Sequence, residues 1–103
     1  MTFRNYLISV GLLDDEGERL ELKEARGGVP KSLWETISAF ANTSGGKILL
    51  GVPKSKVIVG LDDPDGLQAD IASALHQVIT PSIQTSVGLL ELEGRRVVEI
   101  DVP

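Results

Sequence analysis

The stretch from Ser38 to Val52 reads Ser-Ala-Phe-Ala-Asn-Thr-Ser-Gly-Gly-Lys-Ile-Leu-Leu-Gly-Val. It joins a helix end, a two-glycine turn and a buried strand in one run. Upstream, apolar residues at Leu33, Ile37, Phe40 and Ala41, with Trp34 beside them, keep helical spacing. Pro30 suits the first turn of that helix, where a missing N–H costs nothing. Asn42 tolerates a left-handed backbone and Gly45-Gly46 allow positive φ, so the helix is expected to stop there. Ile48-Leu49-Leu50-Gly51-Val52 has no polar alternation, which marks a strand covered on both faces.

Gly46-Lys47 resembles part of a phosphate loop, but the spacing excludes one. A phosphate loop needs Gly five residues before its second Gly and Ser or Thr after the Lys, where this chain has Ala41 and Ile48. The order is also reversed, because a helix C-terminus, carrying partial negative charge, faces this turn.

The rest of the chain supplies the partners of that strand. Thr2 caps a short helix with Phe3, Tyr6, Leu7 and Val10 on one face and Gly11 past its end. After the acidic loop Asp14–Glu18, residues 19–24 alternate, with Leu20 and Leu22 on one side and Glu21 and Lys23 on the other. Val57–Gly60 reads as the second strand of a hairpin after Pro53. Asp62-Asp63-Pro64-Asp65-Gly66 reads as turn and helix cap; a calcium loop is disfavoured because its later ligand positions are missing. Leu67, Ile71, Ala74, Leu75 and Val78 form a second amphipathic stripe ending before Thr80-Pro81, with the lone His76 facing water. Residues 83–92 and 95–102 form a hairpin around Glu93-Gly94. The expected fold is α+β, a mixed, mostly antiparallel sheet with helices packed against it. One core is expected to unite Leu33, Ile37, Phe40, Leu49, Ile71, Leu75, Val98 and Ile100.

With 103 residues the chain is read as a single domain, residues 1–103. It has no cysteine, which excludes disulfides and thiolate metal sites. No apolar run approaches the ~20 residues that cross a bilayer, and no signal peptide is legible, so a cytoplasmic protein without membrane contact is expected. The net charge of −5 argues against broad charge-driven binding to nucleic acid, while leaving room for a local basic patch.

Glu21-Leu22-Lys23, the run from Ser38 to Gly46 with Leu50-Gly51-Val52, and Val59-Gly60 together resemble the Schlafen AlbA-like domain, also described as the divergent AAA domain of bacterial transcriptional regulators. Ile100-Asp101-Val102-Pro103 fits that family's closing strand, and the resemblance covers about residues 12–103. It implies a Schlafen/AlbA-like fold and a nucleic-acid-associated domain at the front of a longer regulator, whose further domains would follow Pro103. Some Schlafen relatives are metal-dependent RNases using three carboxylates. Residue by residue, the first two fall on Glu16 and Glu21, but the third falls on Lys54, because this chain reads Gly51-Val52-Pro53-Lys54. An ammonium there opposes a divalent cation and can pair with Glu21 instead. No catalytic residue, metal or cofactor is therefore assigned.

Lys23, Arg26, Lys31, Lys47, Lys54 and Lys56 form a basic middle, with Arg95-Arg96 near the end. Of these, Lys23, Arg26, Lys47, Lys54 and Lys56 are the candidate nucleic-acid-binding residues. If they converge, they contact DNA or RNA phosphates weakly and without regard to sequence. The leading expectation is a non-catalytic nucleic-acid-binding, DNA-binding module of a bacterial transcriptional regulator. The alternatives are a degenerate metal-dependent nuclease, favoured if Glu16 and Glu21 recruit a carboxylate such as Asp62, and a protein-interaction or dimerisation domain forming a homodimer.

Overall fold

A computed structural model describes residues 1–15, 17–78 and 84–103, with Val78 described in its backbone only. Its elements in chain order are α1 (Phe3–Ser9), β1 (Leu20–Lys23), α2 (Leu33–Ala41), β2 (Gly46–Leu50), α3 (Pro64–Val78), β3 (Ser86–Leu92) and β4 (Arg95–Val102). The strands lie in the order β1-β2-β4-β3. β1 runs parallel to β2, and the β2–β4 and β3–β4 pairs are antiparallel. The architecture is the expected α+β fold with a mixed, mostly antiparallel sheet.

The apolar run of β2 explains the layering. Successive side chains on a strand point to opposite faces. Ile48 and Leu50 enter a core with Leu33, Ile37 and Phe40 of α2, Leu67 and Ile71 of α3, and Val98 and Ile100 of β4. Leu49 enters a different one, with Phe3 and Tyr6 of α1, Leu22, Val52, Ile58, Leu92 and Val97. The expected single core is thus two, one per face, and Leu49 belongs with α1 rather than with Ile37.

The corner between α2 and β2 differs in detail from the expectation. Pro30 lies ahead of the helix, its carbonyl accepting from the Leu33 N–H at 3.1 Å, and Ser32 is the N-cap. Asn42 stays right-handed at φ −86°, and the reversal falls on Gly45 at φ +79°. A Cβ on Gly45 would stand 2.4 Å from the Val102 carbonyl oxygen, so the turn also needs glycine for the close approach of β4.

Val57–Gly60 is not a strand. The Val59 and Gly60 N–H groups both donate to the Gly51 carbonyl, at 3.2 and 2.9 Å, and Leu61 donates to Arg96 at 3.1 Å. The segment folds back over the end of β2 without forming a ladder, and Val57 is exposed. The other local signals hold. Thr2 Oγ1 accepts from the Asn5 N–H at 3.0 Å, and Asp63 Oδ1 accepts from the Gly66 N–H at 3.1 Å, capping α1 and α3. Glu93 and Gly94, at φ 51° and 79°, form the two-residue hairpin turn. His76 is exposed. The expected helix end at Thr80-Pro81, and Ile83 at the start of the hairpin, lie outside the described residues.

Candidate functional site

Because β1 and β2 are parallel, their C-terminal ends reach the same end of the sheet. The chain leaves β1 through Glu24–Lys31, passes into α2, and returns past the same end after β2. A cleft of about 690 Å3 opens between these segments. Four cations line it: Lys23 at the end of β1, Arg26 and Lys31 on the connection to α2, and Lys54 after β2. Two carboxylates, Glu21 and Glu24, line it as well, leaving a local net charge of +2 in a chain of −5.

Alternation on β1 places Glu21 and Lys23 on the α2 side of the sheet, while Leu20 and Leu22 pack on the α1 side. Lys23 Nζ donates to Ser32 Oγ at 2.8 Å. Ser32 is therefore tied to the strand, and its side chain makes no capping bond to α2. Arg26 Nε stands 2.7 Å from Glu24 Oε1. Lys54 Nζ lies 3.5 Å from Glu21 Oε1, forming the pair that the sequence suggested. The Lys54 side chain is 83% exposed, so this contact is weak. Ala25 bends the loop at φ 58°, a left-handed conformation that costs an alanine ~1–2 kcal/mol.

Of the five candidate residues, the structure brings Lys23, Arg26 and Lys54 to this cleft. Lys56 lies beside it, lining an adjoining depression of about 400 Å3 with Asp15, Leu20, Glu21 and Lys54. Lys47 does not join them. It sits in the first half of β2 on the α1 side of the sheet, where its Nζ lies 3.0 Å from Asp101 Oδ1. Lys31 belonged to the basic middle of the sequence but carried no separate signal. The fold alone brings it to the cleft, together with Ser32 and the Gly27-Gly28 loop.

Glu16 lies outside the described residues. Asp62, the alternative carboxylate, lines a different depression, with Arg26, Gly60 and Leu61, whose lining does not include Glu21. Among the described residues, no group of three or more His, Asp or Glu stands close enough together to hold a metal ion. Glu21 faces an ammonium at the position where the nuclease pattern needs a further oxygen ligand, so Glu21 and Lys54 do not fit a divalent cation. No described helix is long and apolar enough to cross a membrane.

Comparison with known proteins gives a consistent picture. A family model described as Schlafen, AlbA_2 matches residues 16–103. Among solved structures, the chain is similar to the N-terminal domain of a DNA helicase RecG-related protein from Nitrosomonas europaea, solved by solution NMR. The identity is 30%, the coverage is 100% of this chain and 73% of that one, and the TM-score is 0.70. It also shares its fold with the DIP2311 protein from Corynebacterium diphtheriae, at 24% identity and a TM-score of 0.55, over 85% of this chain and 18% of that one. No curated protein sequence matches.

Proposed function

The chain belongs to the Schlafen AlbA_2 family, and from that premise we propose that it is a non-catalytic nucleic-acid-binding module whose phosphate-contacting surface is the cleft between β1 and α2. One observation carries the reading. Lys54, after β2, meets Lys23, Arg26 and Lys31 of β1 and its connection to α2 at one recess, whose lining charges sum to +2 in a chain of −5. Charge alone would not bring this chain to DNA or RNA; a concentrated patch attracts phosphates where the remaining surface repels them. Its similarity to a domain of a DNA helicase RecG-related protein supports a role beside DNA. A place in a bacterial transcriptional regulator belongs to the same proposal.

No aromatic residue lines the cleft, so bases have nothing to stack on there. Contacts to phosphate alone position a nucleic acid without reading it. Binding is therefore weak and indifferent to sequence. The non-catalytic part of the proposal rests on the Glu21–Lys54 pair, which puts a cation where a metal-dependent nuclease needs a ligand.

The test is fluorescence anisotropy of labelled oligonucleotides at low and moderate salt. The reading expects measurable binding at low salt that falls as salt rises, because bound counterions are released. Absence of binding, or affinity unchanged by salt, would favour a protein-interaction domain instead.

A further inference from the structure

We propose that the cleft takes a single nucleic-acid strand in preference to a duplex, with the sugar-phosphate backbone passing over the Gly27-Gly28 loop. The inference rests on the phosphate-contacting reading of the cleft and adds to it the form of the ligand. Its first support is where the cations stand. Lys23 is at a strand end, Arg26 in a loop, Lys31 ahead of a helix and Lys54 after a strand, and all four surround a concavity. None of them lies on a helix or hairpin that could enter a major groove ~12 Å wide.

A duplex is stiff over this distance, with a persistence length of ~50 nm, so it cannot bend into a recess of about 690 Å3. It would touch the exposed cations and leave the half-buried one unused. Lys23 is the least exposed of the four, half-buried where Arg26, Lys31 and Lys54 are exposed, and its ammonium donates to Ser32 Oγ on the cleft wall. A single strand is flexible enough to follow the recess and reach it. A positively charged groove that tracks one backbone is how single strands are held without sequence preference.

The second support is the loop itself. Gly27 and Gly28 both line the cleft, and a Cβ on either would meet no protein atom within 4 Å. Gly28 has φ +102°, which by itself calls for glycine. Gly27 does not have a positive φ, so neither its conformation nor its packing requires the residue. A bare backbone at that point leaves room for close approach of a ligand chain.

That difference makes Gly27→Ala a clean probe, because the added methyl disturbs no contact within the protein. Gly88→Ala is the control, since Gly88 on β3 is also open, lacks positive φ and lies outside the cleft. The experiment compares a short fluorescein-labelled DNA strand with the duplex made from it, at equal low salt, on the wild-type chain and both variants. Thermal melts confirm that both variants remain folded. The expected result is several-fold tighter binding of the single strand, weakened several-fold by Gly27→Ala and unchanged by Gly88→Ala. Duplex binding as tight as single-strand binding, or a Gly27→Ala variant that binds the single strand like wild type, overturns this inference and leaves the phosphate reading standing. Failure of both forms to bind removes the two together.

Discussion

Tyr6 is the chain's one tyrosine, and it is buried under α1 with its hydroxyl donating to Glu99 of β4. Burial pushes its pKa well above the ordinary value of 10.0, and the hydrogen bond and negative charge of Glu99 push it further. Because the folded pKa is raised, the contribution of Tyr6 to stability is complete below pH 10.0 and is lost as pH rises from there toward the folded pKa. Tyr6→Phe should cost ~1–3 kcal/mol at neutral pH, since the hydrogen bond to a carboxylate is lost. It should also flatten the fall in stability above pH 10.0, as read by denaturant midpoints across that range. Lys54 tests a different single-residue claim. Lys54→Asp replaces the ammonium beside Glu21 with an oxygen donor and should raise manganese affinity measured by calorimetry, and Lys54→Ala should raise it less. Tight manganese binding by the unmodified chain that disappears in Glu21→Ala would defeat this expectation and revive the nuclease. The Glu21–Lys54 pair was legible in the sequence because the family motif fixes both positions. The Lys47–Asp101 pair was not, because its partners are 54 residues apart and meet only through β2–β4 register.

At the scale of elements, α2 and its corner position the cleft, because Lys31 and Ser32 stand where the helix begins. Ile37 is fully buried between α2 and the sheet. Ile37→Ala should cost ~2–5 kcal/mol in chemical denaturation through the cavity it leaves; a change near zero would mean that the helix face is assigned wrongly. The cap of α3 should be worth less, with Asp63→Ala lowering stability by ~1 kcal/mol. Helices and the β3–β4 hairpin were readable because their signals are local: caps, periodic apolar residues and a two-residue turn. Val57–Gly60 misled because β-branched residues at that spacing fit a strand, whereas its N–H groups at Val59 and Gly60 both turn to one carbonyl instead of entering a ladder. Gly51 instead accepts its N–H groups, a choice made by the surrounding fold. Pro30 misled for a similar reason: a proline suits a first helical turn, but the helix begins later, at Leu33.

Over the whole molecule, the sheet is filled on both faces, and its two cores serve different ends. The α2–α3 core fixes the helix that borders the cleft, and the α1 core holds Val52 and Ile58 on either side of the segment carrying Lys54 and Lys56. Two cores were implicit in the unbroken apolar run of β2, which needs cover on both sides. That α1 supplies the second cover could not be read from its short stripe. That Lys54 joins Lys23, Arg26 and Lys31 was equally out of reach, since it depends on the parallel β1–β2 pairing that brings both strand ends together. The resulting division of the basic residues is the most direct ground for a test. The measurement is the salt dependence of single-strand DNA binding for wild type, Lys31→Ala and Lys47→Ala. If the cleft contacts phosphates, Lys31→Ala lowers the slope of log affinity against log salt by ~0.7, the value for one phosphate contact on a single strand. Lys47→Ala, which removes a cation paired with Asp101 outside the cleft, leaves the slope unchanged. A slope lowered by Lys47→Ala and untouched by Lys31→Ala would contradict the account.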